Sequence, residues 1–216
     1  MFTLHDYAPK VKICGITSLE DALAACDAGA DALGFNFAPE ARKRGRYIDP
    51  DAARAIIAQL PPFITVTAVC VNEEPAQVHK LLTFCDRVQF HGEEDPAHCA
   101  PFGSKAIKAF RVSPEFTPES MRAYPVAAYL LDAWAPDARG GTGQTFDWEI
   151  ATKAVAVGKP LILAGGLTPD NVAEAVRRVR PYAVDTAGGV ESAPGKKDHA
   201  KLRSFVENAK RALSIS

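Results

Sequence analysis

Eight short apolar runs, each followed by an amphipathic stretch, recur from one end of the chain to the other, and this alternation limits the fold more than any other feature. The runs are Val11–Cys14, Ala32–Phe37, Thr65–Val71, Arg87–Phe90, Ala106–Phe110, Ala128–Asp132, Pro160–Leu163 and Tyr182–Asp185. They read as apolar throughout rather than strictly alternating, as expected for parallel strands covered on both faces. Repeated βα units predict a parallel sheet with helices outside. A closed barrel of eight and an open doubly wound sheet both fit. Polar residues cluster just after the runs, at Cys14, Asn36, His91, Arg111, Asp132, Gly165-Gly166 and Asp185. In a closed barrel those ends converge on one face, where active sites lie. The expectation is therefore an α/β chain forming a single (β/α)8 TIM barrel over residues 1–216. With 216 residues, 47% of them hydrophobic, the chain suffices for one sizeable core and is too short for two ordinary enzyme domains.

Helix starts are marked between the runs. Thr17-Ser18-Leu19-Glu20 reads as a capping box, with the Thr17 hydroxyl and Glu20 satisfying free amides reciprocally. Gly29 sits where a left-handed cap belongs. Asp49-Pro50, Asp95-Pro96, Thr117-Pro118 and Thr168-Pro169 each set a capping side chain before a proline suited to the first turn.

Composition removes several function classes. A formal net charge of −1 supplies no general field for nucleic acid. Apolar runs such as Ile64–Val71 are strand-sized, too short for a membrane span, and the first residues lack the pattern of a signal peptide. The 5 cysteines form no CxxC pair, which points to free thiols in a reducing, cytoplasmic setting and to no metal site. Ile56, Ile57 and Leu60 read as core rather than interface, so a monomer is expected.

Four groups of residues carry chemistry. Cys14 ends the first run in Lys12-Ile13-Cys14-Gly15-Ile16-Thr17; it is either a small buried hydrophobe or a thiolate at the barrel mouth able to accept a proton. Asp132 follows an apolar strand directly. It is either a cap or a partly desolvated acid holding a proton for donation. Strands one and six stand on different sides of the ring, so the two could act on opposite ends of one substrate, one as base and one as acid. Gly165-Gly166 and Gly188-Gly189 follow strands seven and eight, where such barrels usually bind phosphate through backbone amides. Arg42-Lys43-Arg44-Gly45-Arg46 is a solvated loop, a nucleic-acid patch, or the source of a guanidinium for a substrate carboxylate. No cofactor fingerprint is present.

Lys12-Ile13-Cys14-Gly15-Ile16-Thr17 resembles the opening signature of the phosphoribosylanthranilate isomerase family. The similarity continues through Gly29-Ala30-Asp31-Ala32-Leu33-Gly34-Phe35, Val88-Gln89-Phe90-His91-Gly92-Glu93-Glu94, Gly140–Trp148, Ala164-Gly165-Gly166-Leu167 and Pro194-Gly195-Lys196-Lys197-Asp198. The resemblance implies a cofactor-free Amadori rearrangement of N-(5-phosphoribosyl)anthranilate in tryptophan biosynthesis. It places the general base on Cys14 and the general acid on Asp132, with Arg46, His91 and Asp185 on the substrate and Gly165, Gly166, Gly188 and Gly189 on the phosphate. Two departures stand out. The loop after strand two is longer and lacks the family's serine; Arg46 aligns best because Tyr47-Ile48 follows it, and Arg44 stays open. Thr186-Ala187-Gly188-Gly189 replaces the usual serine pair, so hydroxyl contacts to phosphate pass to backbone or are lost. The alternatives are a related histidine-pathway or dual-substrate isomerase, whose first strand resembles one ending in a carboxylate, and a non-catalytic phosphate-binding barrel.

Overall fold

The computed structural model describes residues 8–135, 138–139 and 147–213. The Gly140–Phe146 part of the motif lies outside them. Among the described residues, eight parallel strands close into a ring: β1 Lys10–Cys14, β2 Ala32–Asn36, β3 Thr65–Cys70, β4 Arg87–Phe90, β5 Ala106–Val112, β6 Ala128–Ala135, β7 Leu161–Leu163 and β8 Ala183–Thr186. Pairing runs β5-β4-β3-β2-β1-β8-β7-β6, and β6 pairs again with β5, which leaves no edge in the ring and excludes the open sheet. The predicted runs match these strands to within a few residues.

Helices α1 Leu19–Asp27, α2 Pro50–Ile57, α3 Pro75–Leu81, α4 Pro96–Cys99, α5 Trp148–Val155, α6 Val172–Val179 and α7 His199–Arg211 follow seven of the strands. After β5, a 3-10 turn at Pro118–Ala123 takes the helix's place. One core lies between the strands and this outer layer, where Ile13, Leu33, Phe35, Phe90, Leu131 and Phe205 are fully buried. A smaller one, including Ile107, Ala109, Leu130 and Ile162, fills one side of the lumen. The reading of the strands as apolar throughout needs correction there. Buried Lys12, Thr67, Gln89 and Asp185 lie on β1, β3, β4 and β8. With a period of two, each is flanked by apolar neighbours that face the helices.

Asp49 and Asp95 cap as expected, accepting from the amides of Asp51 and His98. Two predicted caps are displaced. Ser18, not Thr17, caps α1 by accepting from the Asp21 amide, because Thr17 spends its hydroxyl on the Gly195 carbonyl. Thr168 does not open α6. Asn171 precedes that helix and turns its side chain back, accepting from the Thr168 amide and donating to the Gly166 carbonyl, which ties down the loop after β7. Thr117 leads only into the 3-10 turn and makes no side-chain cap bond.

Candidate active site

Where the strands end in their C-terminal direction, the barrel opens into a cavity of about 360 Å³. Every residue expected to act reaches its wall: Cys14, Arg46, His91, Asp132, Gly165, Gly166, Asp185, Gly188 and Gly189. Of the two candidate arginines, Arg46 lines it and Arg44 does not.

Cys14, the last residue of β1, is 9% exposed, and Asp132 on β6 is 4% exposed. Both are nearly enclosed yet open on the same space, from separate arcs of the ring. Burial pushes the Cys14 thiol above its ordinary range; Lys12 and Lys197 pull it back, while Asp185 adds to the rise. The other cysteines behave as packing. Burial drives Cys85 to about 12 and Cys99 to about 11, and neither lines the cavity.

Asp132 is held from two sides. Its Oδ1 accepts from the Ala133 amide at 2.9 Å, and its Oδ2 stands 3.2 Å from His91 Nε2. That second contact is close enough for an ion pair but is not aligned as a hydrogen bond. Gln89 Nε2 lies 2.9 Å from His91 Nδ1.

The glycines are required by close approach. At Gly165, φ is +83°, and an added Cβ would stand 2.4 Å from the Ala133 amide nitrogen; at Gly189 it would meet the Leu167 carbonyl at 1.9 Å. The loops after β7 and β8 therefore press on each other and on β6, and Thr186 Oγ1 fastens them by donating to the Leu167 carbonyl at 2.8 Å. Small residues in that arrangement leave backbone amides open to an anion.

Arg46 is already engaged along one edge. Its Nε and Nη2 donate to both carboxylate oxygens of Glu191, at 2.9 and 2.8 Å. The same Glu191 accepts from Lys197 Nζ at 3.2 Å, and Lys197 also donates to the carbonyls of Cys14 and Ala187, at 2.7 and 3.1 Å.

Residue-by-residue reasoning missed Lys12, Gln89, Glu191, Lys197 and Lys201. Lys201 on α7 also lines the cavity, with its Nζ donating to the Glu191 carbonyl at 3.3 Å. Lys12 and Gln89 carried a signal: Lys12 lies two positions before Cys14 on β1, hence on the same face, and Gln89 is a lone polar residue inside an apolar run, two positions before His91 just past the end of β4. Glu191 and Lys197 carried no such strand pattern, because their hairpin, Glu191–Ala193 with Lys196–Lys197, meets Arg46 and the end of β1 only by tertiary contact. Among the described residues no cluster of His, Cys, Asp or Glu is arranged to hold a metal, and no helix is long and apolar enough to cross a membrane.

The sequence pattern of the family described as N-(5'phosphoribosyl)anthranilate (PRA) isomerase matches residues 11–208. The N-(5'-phosphoribosyl)anthranilate isomerase of Geobacter sulfurreducens is 57% identical over 203 residues, which cover 93% of this chain and 98% of its own. The solved phosphoribosyl anthranilate isomerase of Thermus thermophilus is 42% identical with a TM-score of 0.83, covering 92% and 97% of the two chains. A further solved phosphoribosyl anthranilate isomerase, in complex with reduced 1-(o-carboxyphenylamino)-1-deoxyribulose 5-phosphate, is 40% identical with a TM-score of 0.80 over 94% and 98%. Sequence and fold thus agree along nearly the whole length, and the chain belongs to the N-(5'-phosphoribosyl)anthranilate isomerase family.

Proposed function

We propose that this chain carries out its family's isomerisation, converting N-(5-phosphoribosyl)anthranilate to the 1-deoxyribulose 5-phosphate isomer in tryptophan biosynthesis, with Asp132 as acid and Cys14 as base. The observation that carries this reading is the common cavity: a thiol and a carboxyl from β1 and β6 wall one space that the glycine loops after β7 and β8 also line. Asp132 gives its proton to the furanose ring oxygen. The bond from C1 to that oxygen breaks while the nitrogen lone pair forms an iminium at C1. The Cys14 thiolate then takes the proton from C2. The C–H pair becomes the C1–C2 double bond, and the iminium pair returns to nitrogen. The resulting enolamine tautomerises to the ketone, and solvent carries the proton from Cys14 back to Asp132. Each positioned acid or base is worth roughly 10²–10⁴-fold in rate.

The loops bearing Gly165, Gly166, Gly188 and Gly189, with Lys201, supply the anion site for the phosphate. The free edge of Arg46 faces the anthranilate carboxylate, and His91 and Asp185 border the sugar. A monomer is the proposed form, and the free thiols suit the cytoplasm. A strand-one thiol also favours this substrate over the histidine-pathway aminoaldose.

The test is steady-state turnover of N-(5-phosphoribosyl)anthranilate, followed by its fluorescence, with the histidine-pathway aminoaldose assayed alongside. Cys14→Ala and Asp132→Asn should each lose about 10²-fold or more in kcat while still binding the reduced product analogue. Native turnover by Cys14→Ala would end the assignment.

A further inference from the structure

Lys12 is buried, charged and outside any role described so far. Its side chain is 4% exposed, and its Nζ lies 2.8 Å from Asp185 Oδ1. An ammonium in such a place is tolerated only when paired, and Asp185, its register partner on β8, supplies the pair. The ammonium also reaches a second group. Lys12 and Cys14 are two apart on β1 and share a face. The register of β1 with β2 sets Gly34 beside Cys14, and a Cβ built on Gly34 would stand 2.8 Å from Cys14 Sγ and 3.1 Å from Lys12 Nζ. Sulfur and ammonium therefore crowd into the space that the missing side chain leaves.

We infer that Lys12 is the positioning residue of the catalytic base: held by Asp185 and admitted by Gly34, its ammonium lies against Cys14 Sγ and stabilises the thiolate that accepts the substrate proton. The inference rests on Cys14 being the base. Enclosure alone opposes a thiolate, as the upward push on the Cys14 thiol records, and Lys12 is the largest opposing influence. Lys12 itself is drawn down by burial but raised overall by Asp185 and Cys14, so its charge persists when the thiol ionises. The groups facing the sulfur are Lys12 from β1, Asp185 from β8 and Lys197 from the terminal hairpin. Lys197 directs its hydrogen bonds to the Cys14 carbonyl and to Glu191, not to the thiol, so Lys12 is the cation that acts on sulfur directly.

The experiment compares wild type, Lys12→Met and Lys12→Arg in the kcat and kcat/KM pH profiles. Thiolate formation is followed at 240 nm as the difference from Cys14→Ala, which cancels the other four thiols. In Lys12→Met the thiolate midpoint and the rising limb of kcat should move up together by at least about one pH unit. Turnover at neutral pH should fall at least tenfold with KM little changed, and recover as the pH climbs. Lys12→Arg, which keeps the charge, should move the limb less. A limb and midpoint unmoved in Lys12→Met would overturn the inference, since a purely structural counter-ion to Asp185 predicts lost stability only. Should Lys12→Met not fold, the wild type decides. With ¹³C-labelled lysine, the Lys12 Cε resonance should shift at the pH where the thiolate forms and stay still in Cys14→Ala; a resonance indifferent to the thiol refutes the inference. Full activity in Cys14→Ala would instead sink the assignment of the base itself.

Discussion

Replacing Glu191 by glutamine keeps the shape of the side chain and removes one charge, and the structure fixes what that should cost. The Glu191 side chain is 6% exposed and takes two hydrogen bonds from Arg46 and one from Lys197, whose own side chain is 0% exposed. Without the carboxylate two enclosed cations face a neutral amide, and breaking a buried pair in this way costs about 3–5 kcal/mol. In a domain of this size each kcal/mol moves the melting temperature roughly 2–4 °C, so Glu191→Gln should melt about 6–20 °C lower at neutral pH. The loss should shrink in alkali. Burial already holds the Lys197 ammonium below the usual lysine range, and Glu191 is the largest influence raising it. In the variant, Lys197 therefore sheds its proton at lower pH than in the wild type. Because the unfolded chain binds that proton more tightly than the folded one, stability rises with pH between the folded and unfolded values. Scanning calorimetry of both proteins from pH 7 to 10 reads the effect directly. A melting temperature lowered by less than about 2 °C at pH 7, or a gap that widens towards pH 10, would refute the account of Glu191 as the shared counter-ion of Arg46 and Lys197.

Three further outcomes follow from the same geometry. Gly165→Ala forces a side chain onto a left-handed residue and against the Ala133 amide, at a cost of roughly 1–3 kcal/mol; its melting temperature should fall by several degrees, and inorganic phosphate should protect it less than it protects the wild type. Arg46→Ala should weaken binding of the reduced product analogue by roughly 10- to 100-fold, the worth of a charged hydrogen-bond pair of about 1.5–3 kcal/mol, as read by calorimetric titration. The buried Glu94–Lys108 pair, at 2.8 Å, sets an acid limit: burial raises the Glu94 carboxyl, but Lys108 and the Asn72 amide hold it lower overall, so its contribution is present above the unfolded value and lost as pH falls through the folded one. Lys108→Met should accordingly unfold at a higher pH than the wild type in an acid titration followed by circular dichroism.

The barrel was legible because each strand is a run of buried apolar residues and each helix declares its start; hydrophobic burial reads locally. The placement of Cys14 at the cavity was legible for a related reason, since a residue that closes an apolar run emerges at the strand's end; Asp132 reaches the same cavity although β6 continues three residues past it, to Ala135. Caps were less secure. Thr17 and Ser18 are both good capping residues, and only the distant Gly195 carbonyl decides which of them caps α1. The polar half of the lumen was hidden because Lys12 and Gln89 each interrupt an apolar run by one residue, which reads as noise until the strand's inward face is known. Glu191 and Lys197 were beyond local reading altogether: their partners, Arg46 and the Cys14 carbonyl, lie 145 and 183 residues away in sequence.

Those separations bear on synthesis. The first βα unit receives its finishing contacts from the chain's last tenth: Gly195 on Thr17, the Lys197 amide on Asp21 Oδ2, His199 Nε2 at 2.8 Å from Asp21 Oδ1, and the Lys197 ammonium on Cys14. A nascent chain emerging from the ribosome can form strands and helices early, but β1 waits with one flank open until β8 arrives. Loop closure over such distances is the slow step in forming a fold of this kind. Catalytic competence should consequently switch on abruptly near completion rather than accrue unit by unit, and fragments stopping short of the terminal hairpin should be inert however well they fold.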